Sequence, residues 1–212
     1  MTHSNSLAIR TQAMTAKILP MILLSVSFSF TGCMTSNPLP LNERPKHWGK
    51  VVHQQHNFYQ ISPTVFRSEQ PNADLAPVLR EQHIDVIINL RSRHHDPERL
   101  NNVIDTQKIK FVHIPIHTWQ IDREDLLAVM KTIKVAEQQQ QKVLIHCYHG
   151  SDRTGASVAM YRIIFQHWSI EEAKREMKQG GYGFHPIWKN IDRLFSPKNV
   201  RWIQQQLLNP SY

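Results

Sequence analysis

A cysteine and an arginine six positions apart are the residues of this chain whose types and spacing could do chemistry. They are Cys147 and Arg153, within the string HCYHGSDRTG at residues 146–155. The five residues between them can turn their backbone N–H groups inward and form an anion site, closed by the positive end of the helix that follows. The same donors favour the thiolate, which is the nucleophilic form of cysteine. We therefore expect a phosphate-binding loop that carries its own nucleophile.

Other residues of the string fit the same chemistry. The planar guanidinium group of Arg153 can hold two phosphoryl oxygens, and Gly150 permits a tight bend. Thr154 can donate a hydrogen bond to the sulfur when it acts as a leaving group. The loop residues that we expect to bind substrate are Tyr148, His149, Gly150, Ser151 and Asp152.

The string lies between a predicted strand and a predicted helix. The apolar run 142–145 (KVLI) is typical of a buried strand. After Gly155, apolar residues recur at helical spacing at Val158, Tyr161, Ile164, Phe165 and Trp168. The cysteine–arginine spacing alone would be a weak signal, but this context makes it specific.

Strands and helices alternate along the rest of the chain. The predicted strands are 65–68, 85–90 and 110–116, and the predicted helices are 72–83, 96–105, 123–138, 169–180 and 197–207. In the first of these helices, Asp74 is predicted as the N-cap, with Pro77 in the first turn. The alternation predicts a single α/β domain with a mainly parallel central sheet, flanked by helices on both faces.

Ligand sites of such sheets lie at the carboxyl ends of the strands. The residues 91–95 (RSRHH) follow one predicted strand there, and they are either a positive rim that recruits phosphate or an ordinary solvated loop. Of these, Arg91 is our candidate for binding substrate. Trp119 follows the next predicted strand and is interpreted as a core aromatic residue rather than a wall of the pocket.

The string resembles the active-site loop of the cysteine-dependent phosphatases, specifically the dual-specificity branch and its bacterial tyrosine-phosphatase-like relatives. The segments YQISPTVFRSEQP, INLRS, HIPI and GGYGFHPIW resemble the same proteins, so that the likeness covers roughly residues 57–195. It implies their fold, a phosphocysteine intermediate, and a phosphorylated protein or small phosphomonoester as substrate. No cofactor or metal is expected.

The proton donor for the leaving group is left open between two aspartates. In most dual-specificity phosphatases it is an aspartate on the loop after the strand that corresponds to residues 113–116. This chain has His117 there, and its nearest aspartate is Asp122, which also fits the N-cap of the next helix. Asp152 gives the loop an order similar to that of myotubularins and Sac-type phosphoinositide phosphatases. We keep both candidates, Asp122 ahead of Asp152.

Three functions fit these features. The first is a protein tyrosine or dual-specificity phosphatase, and the second is an inositol phosphate or phosphoinositide phosphatase, suggested by Asp152 and the basic rim. The third is a non-catalytic module that binds phosphorylated ligands. The presence of both Cys147 and Arg153 argues against the third.

The first 32 residues are typical of an export signal. Arg10 and Lys17 precede an apolar run at 18–30, and the sequence FTGC then ends at Cys33, which we predict to be lipidated. An uncleaved membrane anchor is the alternative. We expect a tether at 33–50, a phosphatase domain at 51–212, and a lipid-anchored protein of the cell envelope with its catalytic domain outside the cytoplasm.

The chain is basic, with a formal net charge of +8. Basic surfaces attract anionic substrates and anionic lipid headgroups. We find no nucleic-acid-binding motif and expect no nucleic acid partner. A zinc site at His146, Cys147 and His149 is not predicted, because neighbours on a strand point to opposite sides and no fourth ligand is evident.

Overall fold

A computed structural model describes residues 35–93 and 108–209, together with Met1, Pro97, Leu100, Asn102 and Asp105. The predicted export signal beyond Met1 and the predicted lipidation site Cys33 lie outside the described residues, as does most of the predicted helix 96–105. Within the described part, no helix is long and apolar enough to cross a membrane.

Six described strands form one sheet in the order β1-β2-β3-β6-β4-β5. They are β1 (Lys50–His53), β2 (Phe58–Gln60), β3 (Val65–Ser68), β4 (Val86–Asn89), β5 (Lys110–His113) and β6 (Val143–His146). The first three pair antiparallel, whereas β3, β6, β4 and β5 pair parallel. The predicted α/β fold with a mainly parallel sheet is confirmed.

Helices cover both faces of this sheet. They are α1 (Ala76–Glu81), α2 (Arg123–Gln138), α3 (Asp152–Phe165), α4 (Ile170–Gln179), α5 (Lys189–Leu194) and α6 (Pro197–Leu208). Alternate residues of the parallel strands point to opposite faces. Ile88 and Ile145 therefore join the larger core with α2, α3, α4 and α6, whereas Ile87 and Leu144 join the smaller core with α1.

Two helix starts show how capping sets the boundaries. The predicted range of α2 is confirmed, and Asp122 forms a capping box with Asp125. The predicted N-cap Asp74 is wrong, because Asn72 is the extended residue whose side chain accepts a hydrogen bond from the N–H of Leu75. This bond opens a 3₁₀ turn, Ala73–Leu75, that leads into α1.

The described part of the predicted tether packs on the domain. The N–H groups of Ser36 and Leu39 donate to the carbonyls of Phe184 and Gln179, at 2.7 and 2.9 Å. Trp48 is buried, and its Nε1–H donates to Glu172 at 2.7 Å. These contacts attach the segment to α4 and to the chain that follows it.

Candidate active site

The loop from Cys147 to Ser151 connects β6 to α3 at the carboxyl end of the parallel strands. Cys147 is 3% exposed. Gly150 lies in the left-handed region, with φ of 70°, and a Cβ atom built on it would lie 2.3 Å from the carbonyl oxygen of Ser68. Glycine is therefore required here, because the loop crosses directly over the end of β3.

Four successive carbonyl groups of this loop accept hydrogen bonds from residues around it. The donors are His146 Nδ1 to Cys147 (3.0 Å), Gln70 N to Tyr148 (3.0 Å), Asn57 Nδ2 to His149 (2.9 Å), and Arg67 Nη2 to Gly150. The N–H groups of residues 148–153 have no acceptor within the described part of the chain. Because the loop carbonyls are bound by donors outside the loop, the loop N–H groups point the other way and are available to bind an anion.

Arg153 lies in the first turn of α3, next to the loop. Its Nη1 donates to the carbonyl oxygens of Leu90 at 3.3 Å and Ile116 at 3.2 Å. These carbonyls follow β4 and β5, so the guanidinium group is fixed at the same edge of the sheet as Cys147. This is the placement that a phosphate ligand needs.

Ser151, the last residue of the loop, and Thr154, in the first turn of α3, are both buried. The hydroxyl of Ser151 donates to the carbonyl of His149 at 3.4 Å. The hydroxyl of Thr154 is buried without a partner among the described residues. A buried hydroxyl group without a partner is costly, and a sulfur atom or a bound anion would satisfy it.

The carboxylate of Asp152 is bound to His185. Its Oδ1 accepts the backbone N–H of His185 at 2.9 Å, and its Oδ2 accepts from Nδ1 at 2.9 Å. His185 comes from the segment between α4 and α5, and its ring lies 6.4 Å from the ring of His149. The structure thus joins an imidazole group to one of the two predicted acid candidates.

The other candidate, Asp122, is exposed at the N-terminus of α2. Its Oδ1 accepts the N–H of Asp125 at 2.9 Å, and Oδ2 of Asp125 accepts the N–H of Asp122 at 3.2 Å. Burial raises the pKa of Asp125 above its ordinary value. Asp122 therefore has the capping role that its sequence position also suggested.

Tyr148 and Arg91 lie at the mouth of the loop. Tyr148 is 55% exposed, and the guanidinium group of Arg91 lies 5.0 Å from the centre of its ring. The prediction that Trp119 is a core residue is wrong, because it is 72% exposed. Trp119 instead packs edge-on against Trp188, with 4.3 Å between the ring centres. It lies after the end of β5, outside the sheet.

Two residues of the site were not singled out from the sequence. Arg67 lies in the segment FRSEQP and His185 in the segment GFHPIW, and both segments were noted only for their resemblance. A basic residue that follows Val65 and Phe66 inside a predicted strand is a signal that could have identified Arg67. Among the described residues, no group of three or more His, Cys, Asp or Glu side chains could hold a metal ion.

The fold and the loop define a cysteine phosphatase of the dual-specificity type. Residues 65–194 match the family model described as dual specificity phosphatase, catalytic domain. Because this match covers more than half of the chain, the chain belongs to that family.

A curated relative is the dual specificity protein phosphatase TpbA of Pseudomonas aeruginosa (strain UCBPP-PA14). It is 33% identical over 140 residues, which are 66% of this chain and 62% of the relative. The chain thus matches less than two thirds of the length of that protein.

Solved structures give the same result. The crystal structure of P. aeruginosa TpbA has a TM-score of 0.70 at 28% identity, covering 78% of this chain and 99% of that one. A variant of TpbA in complex with pTyr has the same values. The crystal structure of PTPMT1, with a TM-score of 0.55 at 16% identity over 70% of this chain and 97% of that one, shows the fold alone.

Proposed function

We propose that this chain hydrolyses phosphomonoesters through a phosphocysteine intermediate, with phosphotyrosine proteins as its substrates. The observation that carries the proposal is the loop from Cys147 to Arg153, in which four carbonyls are bound from outside and the N–H groups of residues 148–153 find no acceptor among the described residues. A phosphoryl group that sits on these donors lies against the sulfur of Cys147.

In the first step, the thiolate of Cys147 attacks phosphorus, so that an S–P bond forms while the bond to the leaving oxygen breaks. Arg153 and the loop N–H groups stabilise the three equatorial oxygens of the transition state. In the second step, water attacks phosphorus and the S–P bond breaks. Thr154 then donates its unpaired hydroxyl hydrogen to the departing sulfur.

We assign the proton for the leaving group to His185, held by Asp152. Both oxygens of Asp152 accept hydrogen bonds from N–H groups of His185, so this carboxylate is placed as an acceptor and not as the donor. Because Nδ1 faces a carboxylate, the proton to be transferred is the one on Nε2. The imidazole then accepts a proton from the attacking water in the second step.

The mouth of the loop supports an aromatic substrate. Tyr148 is exposed there, and aromatic rings pack well against the ring of a phosphotyrosine. The complex of TpbA with pTyr supports the same choice. Arg91 favours a second candidate, a phosphoinositide, because its positive charge at the mouth suits a headgroup with several phosphates.

We also propose that the protein is attached to the cell envelope by a lipid on Cys33, with its catalytic domain outside the cytoplasm. The apolar run at 18–30 followed by FTGC supports this location. Labelling of cells with a fatty acid analogue should mark the wild type and not Cys33→Ala. An unlabelled wild-type protein would contradict the proposal.

The activity is tested with wild type, Cys147→Ser and Arg153→Lys, each in the presence of a metal chelator. The substrates are a phosphotyrosyl peptide, a phosphoseryl peptide and vesicles that contain a phosphoinositide. We expect hydrolysis of the phosphotyrosyl peptide by the wild type, and a phosphoenzyme that can be trapped by acid quench.

Both variants should lose activity, and Cys147→Ser should form no phosphoenzyme. Activity that survives in Cys147→Ser would contradict the mechanism. A preference for the vesicles would select the phosphoinositide candidate. A wild type that binds the phosphotyrosyl peptide without hydrolysing it would identify a binding module instead.

A further inference from the structure

A fully buried arginine lies beneath the candidate catalytic loop. Arg67, on β3, has no exposed surface, although arginine is almost never fully buried unless it is paired. Its Nη2 donates to the carbonyl of Gly150, and its guanidinium carbon lies 3.8 Å from the centre of the Tyr182 ring. Its Nε and Nη1 have no partner among the described residues.

The nearby buried carboxylate is already paired with another arginine. Glu176 of α4 receives two hydrogen bonds of 2.7 Å from Nε and Nη2 of Arg162. It also accepts from the N–H of Gly49 and the hydroxyl of Tyr182. The described buried residues thus include two arginines and one glutamate, and the charge of Arg67 is the one without a partner.

We propose that Arg67 is a positioning residue, which holds the loop through Gly150 and provides the buried positive charge that keeps the sulfur of Cys147 as a thiolate. A buried charge without a counter-ion is strongly unfavourable, and a thiolate next to it would supply the missing negative charge. The inference rests on the proposed function, because it concerns the nucleophile of that reaction.

The surroundings of Arg67 support this role. Burial lowers the pKa of its guanidinium group, and the groups that act in the opposite direction are Tyr182, Glu176, Cys147 and Tyr59. Of these four, Glu176 is bound to Arg162, and burial raises the pKa of Tyr182 far above its usual value. Arg67 pairs in the sheet with Ile145, two residues before Cys147, and binds the carbonyl of Gly150, three residues after it. Cys147 is therefore the group of the loop that can carry the balancing charge.

The test is the alkylation of Cys147 by iodoacetamide as a function of pH, followed by mass spectrometry of the peptide that contains it. Arg67→Gln removes the charge but keeps a donor for the carbonyl of Gly150, whereas Arg67→Lys keeps the charge. Arg193→Gln, at an exposed position on α5, is the control for the loss of a surface charge. The other titratable groups in and beside the loop are present in all variants; they are His146, His149, Arg153 and Asp152 with its partner His185.

We expect the midpoint of the alkylation profile to move to higher pH in Arg67→Gln, with alkylation at neutral pH about tenfold slower for each unit of this shift. Arg67→Lys should keep the midpoint close to that of the wild type while its kcat falls, because the hydrogen bond to Gly150 changes. Arg193→Gln should match the wild type in both respects.

An unchanged midpoint in folded Arg67→Gln would overturn the proposal, and so would a shift in Arg67→Lys as large as that in Arg67→Gln. If Arg67→Gln does not fold, Arg67→Met provides the uncharged variant. Should neither uncharged variant fold, Arg67→Lys decides the question, because a midpoint that moves despite the retained charge contradicts the proposal. Because alkylation requires no substrate, the role of Arg67 can be tested even if the proposed phosphatase activity is not found.

Discussion

Asp152 and His185, which are 33 residues apart in sequence, form a pair in which both carboxylate oxygens accept N–H hydrogen bonds from the histidine. The histidine is bound through its backbone and its ring at once, so the ring orientation is fixed. Such a pair leaves Nε2 as the group that can exchange a proton with a substrate.

This pair predicts a dependence on the leaving group. His185→Gln and Asp152→Asn should slow the hydrolysis of an alkyl phosphate such as a phosphoseryl peptide by about 10²-fold, because general acid catalysis is worth at least that much. An aryl phosphate with a nitrophenol leaving group needs little protonation, and its hydrolysis should slow much less. Steady-state values of kcat/KM for the two substrates measure the difference.

Asp122→Asn separates this assignment from the alternative on α2. Because Asn also caps helices well, this variant should stay folded. Its kcat/KM should be close to that of the wild type with both substrates. A selective loss with the alkyl phosphate in Asp122→Asn, and none in His185→Gln, would return the role to Asp122.

Gly150→Ala should disable the loop. An alanine there would need a left-handed conformation, and its Cβ would overlap the backbone of Ser68. The loop must move away from β3, and a displacement of about 1 Å can cost on the order of 10²-fold in rate. We expect a loss of at least this size in kcat, together with weaker protection of the protein by vanadate in thermal unfolding.

Gly155→Ala is the matched control for that variant. Its Cβ would lie 3.1 Å from Cγ of Met177, which is a flexible side chain, and the position is inside α3. Alanine is favoured over glycine in a helix. If both substitutions lowered kcat by the same amount, the effect of Gly150→Ala would not be specific to Gly150, and the prediction would be contradicted.

The buried pair of Arg162 and Glu176 should be a large contributor to stability. Glu176→Gln leaves Arg162 without its carboxylate, and breaking a buried ion pair in this way costs about 3–5 kcal/mol. The free energy of unfolding in urea measures it. Glu171→Gln, on the exposed side of the same helix, should change this free energy by less than about 1 kcal/mol, and a similarly small loss in Glu176→Gln would contradict the prediction.

Local patterns made most of the fold and the centre of the site predictable. The range of α2 follows from the cap Asp122 and an apolar spacing of three and four residues, and the loop follows from Cys147, Gly150 and Arg153. The strands β1 and β2 were not predicted; they form by antiparallel pairing with each other and with β3.

The residues that could not be predicted from the sequence make contacts with residues that are distant in sequence. Arg67 reaches Gly150 across 83 residues, and no local pattern states that these two meet. The same holds for Trp119, whose partner Trp188 lies on the segment after α4. An aromatic residue after a strand looks like a core residue until that partner is known.

The ion pairs of Asp192, on α5, should stabilise the folded protein less in acid than at neutral pH. Its carboxylate lies 2.7 Å from Nζ of Lys178 and 3.2 Å from Nζ of Lys174. Burial alone would raise its pKa, but the hydrogen bonds and charges of the two lysines, Lys178 first, outweigh burial and hold the pKa below its usual value.

Because the pKa of Asp192 is lower in the folded state than in the unfolded chain, its contribution is fully present above the unfolded value of about 3.9 and is lost as the pH falls through the folded value. A double-mutant cycle with Asp192→Asn and Lys178→Met, measured by urea unfolding, should therefore give a favourable coupling free energy at neutral pH. This coupling should become smaller as the pH is lowered to about 2. An equal coupling at both pH values would show that the two side chains interact without the charge on Asp192.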